Sequence, residues 1–262
     1  EVPLWKLLDP AASRRKIRCN ATITAGDSAD VVSQCEEWAA DGFDVFKLKA
    51  GPGEAVELAA SVRSALGPQA KIRLDANGTW GTEAATLLAE LESTGIELVE
   101  EAVTGLADLA VLARGTDIPL VADESVNDPG QAADALVEGS CSAVTVKLSK
   151  IGSLEATLGG HLPTYLSSAL DGPVGIAAAA HVAQTLDPSL PWPDMAHGLA
   201  TGRLFVEDGI IVANNHQQIS HFKFFFGGVD LTPYKLIELY RFAIRTGDDS
   251  YIFASVFFVS IA

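Results

Sequence analysis

Residues 71–77 read KIRLDAN, an apolar run that ends on the carboxylate of Asp75, and runs of the same texture lie on both sides of it. Upstream, VFKLK at 45–49 ends on Lys49. Downstream, IELVE at 96–100 ends on Glu100, IPLVAD at 118–123 on Asp123 and AVTVK at 143–147 on Lys147. The steps from Lys49 to Asp75, Glu100, Asp123 and Lys147 are 26, 25, 23 and 24 positions. Each is the length of one strand, one helix and their two connections, so five charged residues fall at the C-terminal ends of five successive strands. The runs are apolar throughout rather than alternating, as expected for parallel strands covered on both faces.

Extending the pattern gives strands at 17–24, 44–49, 71–75, 96–100, 118–123, 143–147 and 163–168, with Ala-rich helices at 28–41, 54–66, 82–94, 105–114, 129–138 and 173–186. Alternation of β and α at this spacing predicts an α/β fold of the (β/α)8 TIM-barrel type. Two places depart from it. SKIGSLEATLGGHLP, after Lys147, leaves room for only about two helical turns, so the sixth helix is expected to be truncated. Beyond residue 212 the βα texture stops, and the Phe-rich stretch 213–262 reads as an unrelated tail, so the eighth βα unit is expected to be modified. The expected division is a leading segment 1–16, a barrel domain 17–212 and the tail 213–262.

The chain has 34 acidic and 18 basic residues, a formal charge of −16. That field disfavours nucleic acid and anionic membranes as partners. An anionic small-molecule substrate needs a local cation to approach such a surface, whether lysines or a metal ion. The last apolar run, Tyr251 to Ala262, is 12 residues, short of the roughly 17 to 25 that span a bilayer. Three cysteines, Cys19, Cys35 and Cys141, without CxxC spacing indicate neither a disulfide framework nor a zinc site, which suits a reducing cytoplasm. No secretory signal opens the chain, and a homo-oligomer is left open.

Three carboxylates on adjacent strand ends, without His or Cys, make an oxygen-only donor set suited to Mg²⁺, with Mn²⁺ as the alternative. Singly, each acid could instead cap the helix that follows it. Lys47 and Lys49 lie on the same side of their strand because side chains alternate with period two. A surface hairpin could carry such a pair, but the flanking Val45, Phe46 and Leu48 favour burial. A lysine acts as a base only when neutral, and a second ammonium with a dication nearby provides the repulsion that lowers its pKa. Ser167 and Ser168 end the seventh run, where they either hydrogen-bond a substrate carboxylate or cap the next helix. His181 and His197, in Ala-rich surroundings, read as packed residues.

Taken together, KLK at 47–49, LDAN at 74–77, VEE at 99–101, ADES at 122–125 and VKLSKIG at 146–152 resemble the ordered motifs of the enolase superfamily, in its muconate-lactonizing-enzyme-like subgroup. LSSALDGPVGIAAAAHVA at 166–183 and AHGLATGRLF at 196–205 look like the seventh and eighth strand regions of o-succinylbenzoate synthases. The resemblance implies Asp75, Glu100 and Asp123 as metal ligands, Lys49 and Lys147 as catalytic lysines, and Lys47 and Asn77 in support. It implies a lyase (a hydro-lyase) of menaquinone biosynthesis that forms o-succinylbenzoate by proton abstraction α to a carboxylate. Such enzymes carry an N-terminal capping domain, so 1–16 is expected to be the remnant of a linker from a domain this chain lacks. N-succinylamino acid racemases and dipeptide epimerases use the same two lysines. The DxD that dipeptide epimerases carry near the eighth strand is replaced here by AHGLATG. A catalytically silent fragment is the third alternative.

Overall fold

The computed structural model describes residues 3–12, 16–151, 163–186, 195–204, 225–226 and 229–230. Seven strands, β1 (Ala21–Ile23), β2 (Val45–Lys49), β3 (Lys71–Asp75), β4 (Leu98–Glu100), β5 (Leu120–Ala122), β6 (Ala143–Val146) and β7 (Thr164–Leu166), are hydrogen-bonded in chain order. Every pairing is parallel. Helices α2 (Ser28–Ala40), α3 (Ala55–Leu66), α4 (Ala84–Leu91), α5 (Leu106–Ala113) and α6 (Pro129–Glu138) connect β1 through β6. A short helix α7 (Leu148–Ile151) follows β6, and α8 (Pro173–Ala183) follows β7. Residues 152–162, which complete the segment expected to be a truncated helix, lie outside the described residues.

The edges of the sheet are joined by a segment too short to form a strand. His197 bridges Cys19, and Gly198 bridges Ser167, both in parallel sense. The His197 N–H donates to Arg18 O at 2.8 Å and the Gly198 N–H to Leu166 O at 2.8 Å. Residues 197–198 therefore occupy the eighth position of the ring, and a 3₁₀ turn, Ala200–Leu204, follows them. Among the described residues the fold is TIM-barrel-like and incomplete at its eighth unit.

Two apolar layers sit on either side of the sheet. The outward faces of the strands, with Leu48, Ile72, Leu74, Val99, Leu120 and Val144, are buried against the helices. Each such side chain contributes about 1.5–3 kcal/mol of burial. Inside the ring, Leu98, Val121, Ala143, Tyr165 and Met195 form a separate small cluster beneath the strand ends.

Several boundaries differ from expectation. The expected helix 82–94 is a 3₁₀ turn (Gly81–Glu83), then α4, then a second 3₁₀ turn (Glu92–Thr94) that stops at the left-handed Gly95, φ +67°. β2 and β3 fill their apolar runs, but the other strands are shorter than theirs, which leaves Asp123 and Lys147 one residue beyond β5 and β6.

The leading segment contributes α1 (Leu4–Leu8), which packs on α8, and the Trp5 N–H lies 3.4 Å from His181 Nδ1. Of the tail, only two-residue strands β8 (Phe225–Phe226) and β9 (Val229–Asp230) are described, paired antiparallel. The remainder of 213–262 lies outside the described residues. All three cysteines are buried. Among the described residues, no helix is long and apolar enough to cross a membrane.

Candidate active site

Alternation along the strands points Lys47 and Lys49, Arg73 and Asp75, and Glu100 to the inside of the ring. The register sets Lys49 beside Asp75 and Asp75 beside Glu100. Asp75, Glu100 and Asp123 are all but completely buried. Lys47 Nζ lies between two of them, 2.7 Å from Glu100 Oε1 and 2.9 Å from Asp75 Oδ2. Lys49 Nζ is 2.7 Å from Asp75 Oδ2 and donates to Asn77 Oδ1 at 2.8 Å. Lys147 pairs with Asp123, whose other oxygen is 3.9 Å from Lys150.

The sequence-predicted lysines, carboxylates and Asn77 are thus joined in short ion pairs and hydrogen bonds at one end of the barrel. Among the described residues, no three His, Cys, Asp or Glu side chains stand close enough together to hold a metal ion. The reason is visible in the pairs: each carboxylate is drawn onto a lysine instead of onto its neighbouring carboxylate.

Burial shifts these groups in opposite directions. It pulls the Lys47 ammonium down, but Glu100, Tyr165 and Asp75 outweigh it and hold the lysine well above its ordinary value. Burial pushes Asp75 up, and Lys47 and Lys49 overcome this to lower it. For Asp123, burial and the nearby Glu100 charge prevail over Lys147 and push the carboxyl up to about 7.

The loops above the strands are tightly set. Asn77 and Glu101 follow Asp75 and Glu100 with left-handed φ of +45° and +43°, a strain seen at functional sites. Gly78 is also left-handed, and a Cβ there would meet Thr104 Oγ1 at 2.4 Å, so only glycine fits between these two loops. The Trp80 indole N–H donates to Ala50 O at 2.9 Å, tying the loop after β3 to the end of β2.

Four residues of the site were not singled out from the sequence, although Glu101 and Glu124 lie inside the VEE and ADES motifs. Glu101 accepts the Asp123 N–H at 2.7 Å and the Ser125 hydroxyl, locking the end of β5 to β4. Glu124 Oε1 accepts from Asn77 Nδ2 at 2.9 Å, which turns the amide oxygen toward Lys49. Tyr165 donates to Glu100 Oε2. Burial and the Glu100 charge raise its phenol well above the ordinary value, so it keeps its proton. Arg73 lies over the Tyr165 ring, 5.3 Å from its centroid. Period-two spacing could have found Arg73, two positions before Asp75, and Tyr165, two before Ser167.

Ser167 sits at the seam of the ring, beside Gly198. The Ser168 hydroxyl accepts the Asp171 N–H at 2.7 Å in the turn before α8. His197 is buried, and its Nδ1 accepts the Leu166 N–H at 3.0 Å, a packing role in the seam.

Comparison with known proteins agrees with this architecture. The family model of enolase C-terminal domain-like proteins matches residues 30–219. The o-succinylbenzoate synthase of Thermobifida fusca (strain YX) is 34% identical over 215 residues, 76% of this chain and 64% of that protein. The chain therefore spans less than two thirds of that relative. The substrate-liganded L-Ala-D/L-Glu epimerase from Bacillus subtilis superposes with a TM-score of 0.73 at 26% identity, over 82% of this chain and 63% of that one. Muconate cycloisomerase from Pseudomonas fluorescens gives 0.71 at 26% identity, over 80% and 61%. With the motifs, the ring and these relatives in agreement, the chain belongs to the enolase superfamily, in its muconate-lactonizing-enzyme-like subgroup and close to the o-succinylbenzoate synthases.

Proposed function

We propose that this chain is the barrel of an o-succinylbenzoate synthase. The enzyme would dehydrate 2-succinyl-6-hydroxy-2,4-cyclohexadiene-1-carboxylate to o-succinylbenzoate, a hydro-lyase reaction of menaquinone biosynthesis. The observation that carries the reading is the placement of the lysines. Lys49 ends β2 and Lys147 follows β6, positions that face each other across an eight-position ring, with the three buried carboxylates between them in strand order. Two amines on opposite sides of one small substrate suit proton abstraction beside a carboxylate. The similarity to the Thermobifida fusca synthase supports dehydration as the outcome.

Asp75, Glu100 and Asp123 would hold the divalent cation, Mg²⁺ or alternatively Mn²⁺. The donor chemistry suits a hard cation, all oxygen and buried, with the three carboxylates drawn off the lysines they pair with. When bound, the cation supplies Lewis-acid stabilisation of the charge that develops on the substrate carboxylate.

In this reading Lys49, as the neutral amine, takes the proton from the carbon α to the ring carboxylate. The C–H pair shifts toward the carboxylate and returns to form the new ring C=C bond as the C–O bond to the ring hydroxyl breaks, and Lys49 gives the proton it took to the leaving hydroxide, which departs as water. The ring gains aromaticity. Lys147 stays protonated and faces the developing negative charge. Lys47, bridging Asp75 and Glu100, and Asn77, accepting from Lys49, keep these groups in place. Ser167 and Ser168 would donate to the succinyl carboxylate. The lysines also provide the local positive charge that an anionic substrate needs on a chain of net charge −16.

The likeness to the Bacillus subtilis epimerase favours a second reading, in which the same two lysines exchange a proton on opposite faces of an N-acylated amino acid. One preparation separates the two. The chain with Mg²⁺ is given the cyclohexadiene carboxylate and, separately, an N-succinylamino acid in D₂O. Appearance of the aromatic product, abolished by chelation, is expected. Deuterium incorporation without aromatic product transfers the assignment to the racemase. A cooperatively melting chain that does neither is a catalytically silent fragment.

A further inference from the structure

Glu124 follows Asp123 in the loop after β5, and its side chain makes one hydrogen bond among the described residues. Its Oε1 accepts the Asn77 Nδ2–H at 2.9 Å, which joins this loop to the loop after β3. Its Oε2 is buried and has no partner among the described residues. A buried polar atom left unpaired is costly, so stability alone accounts poorly for a carboxylate here. The bond to Asn77 has to explain it.

Asn77 is exposed, and its backbone is held in the left-handed region at φ +45°. Its N–H donates to Asp75 Oδ1 at 3.1 Å, and its Oδ1 accepts from Lys49 Nζ at 2.8 Å. An amide side chain has one accepting end and one donating end, whereas a carboxylate only accepts. Glu124 therefore engages the NH2 end and leaves the oxygen for Lys49. That choice bears on Lys49 because packing does not fix this lysine: its side chain is 42% exposed, against 7% for Lys47 and 13% for Lys147. Two bonds hold it instead, to Asp75 Oδ2 at 2.7 Å and to Asn77 Oδ1. A neutral amine has two N–H groups and one lone pair. With both N–H groups directed at these two oxygens, the lone pair is the direction left at Nζ. A reversed amide would donate its NH2 to that lone pair and occupy it.

We propose that Glu124 is a positioning residue for Lys49: by taking the Asn77 NH2 it turns the amide oxygen onto the lysine and keeps the amine lone pair free for the substrate proton. This rests on the reading of Lys49 as the base. Glu124 acts through Asn77 and touches no reacting atom, so its influence is on the placement of the base. Small misplacements of a reacting group cost up to about 100-fold in rate.

The test is a double-mutant cycle on turnover of the cyclohexadiene carboxylate, or of the N-succinylamino acid if that is what the chain converts. The unsubstituted chain, Glu124→Ala, Asn77→Ala and the double variant are compared in kcat, KM and thermal melts, with Lys49→Ala alongside. Glu124→Ala is expected to lower kcat by about 10- to 100-fold, with KM and the melting midpoint retained. The double variant should be no slower than Asn77→Ala, because losses that run through one residue do not add. Glu124→Gln, whose amide oxygen can still accept from Asn77, should recover part of the loss. Unchanged kcat in Glu124→Ala while Lys49→Ala is silent overturns this proposal alone. So do losses that multiply in the double variant, a rise in KM with kcat kept, or a Glu124→Gln chain no faster than Glu124→Ala. An unsubstituted chain that turns over neither substrate, or full turnover in Lys49→Ala, overturns the reading of Lys49 and this proposal with it. Should Glu124→Ala not fold, Glu124→Leu takes its place, since it keeps the bulk and offers no acceptor.

Discussion

The two sides of the ring are built differently. From β2 to β6 the strands end at or one residue before Lys49, Asp75, Glu100, Asp123 and Lys147, with Lys49 paired to Asp75, Lys147 to Asp123 and Glu100 held by Lys47. From β7 through residues 197–198 to β1 the ring is closed by isolated bridges, and the polar groups are hydroxyl, imidazole and amide. The first side carries the charge and the second closes the ring. Tyr165 and Ala196 are where they meet, because both reach across to groups on the charged side. The charged groups thus stand on one arc of the barrel, and the other arc contacts them through Tyr165 and Ala196.

The largest test of that division is Lys49→Ala. If Lys49 is the base on the charged arc, product formation should fall by about 10²- to 10⁴-fold, with the melting midpoint and Mg²⁺ binding retained. Lys49→Arg should not restore it, because a guanidinium stays protonated and cannot accept the proton. Lys147→Arg, by contrast, should keep part of the activity if that lysine serves only as a cation. Full turnover in Lys49→Ala would sink the proposed mechanism.

Asp123→Asn comes next. Loss of one ligand charge from a hard-cation site should weaken Mg²⁺ by more than about tenfold, measured by calorimetry. Unchanged affinity would remove Asp123 from the ligand set and leave its pairing with Lys147 as its whole role.

These two tests address what was legible in the sequence. The charged arc could be read because its strand ends recur at one βα unit and its runs are apolar enough to show as strands. On the closing arc β1 and β7 fall within the predicted 17–24 and 163–168, and the resemblance marked 196–205 as the eighth strand region, but nothing in the sequence showed how that segment closes the ring. Residues 197–198 hold their place by two bridges, too short a stretch for any period to appear. The roles of Arg73 and Tyr165 were hidden for a related reason: period two gives the face of a strand, but only the closed ring shows that β7 looks across at β4. Glu101 was hidden by its backbone, since its left-handed φ redirects a side chain that alternation alone would send outward. Helix α4 stops at Leu91, where the chain tightens into a 3₁₀ turn that a sequence period does not separate from an α-helix.

On the closing arc, His197→Ala probes the seam. The imidazole Nδ1 accepts the buried Leu166 N–H, and losing that acceptor should cost about 1–3 kcal/mol of stability. Denaturant unfolding would measure it. A negligible loss would mean that the backbone bridges alone hold the ring closed, and that the seam is sturdier than its length suggests.

The smallest effect is expected at Ser168, where the two arcs differ most subtly. Its hydroxyl accepts the Asp171 N–H in the turn before α8, and in the proposed function it also donates to substrate. An oxygen can do both, since the accepted bond uses a lone pair and the hydroxyl hydrogen remains to be aimed at a carboxylate. Ser168→Ala should therefore cost about 1 kcal/mol through the turn, lowering the melting midpoint by roughly 2–4 °C for a chain of this size. It should also raise KM several-fold with kcat preserved, because a contact made equally in ground and transition states affects binding alone. A shifted midpoint with unchanged KM would confine Ser168 to the turn and leave substrate recognition to the charged arc. A fall in kcat would mean instead that the closing arc touches the reacting centre, and the division between the two sides of the ring would fail at that point.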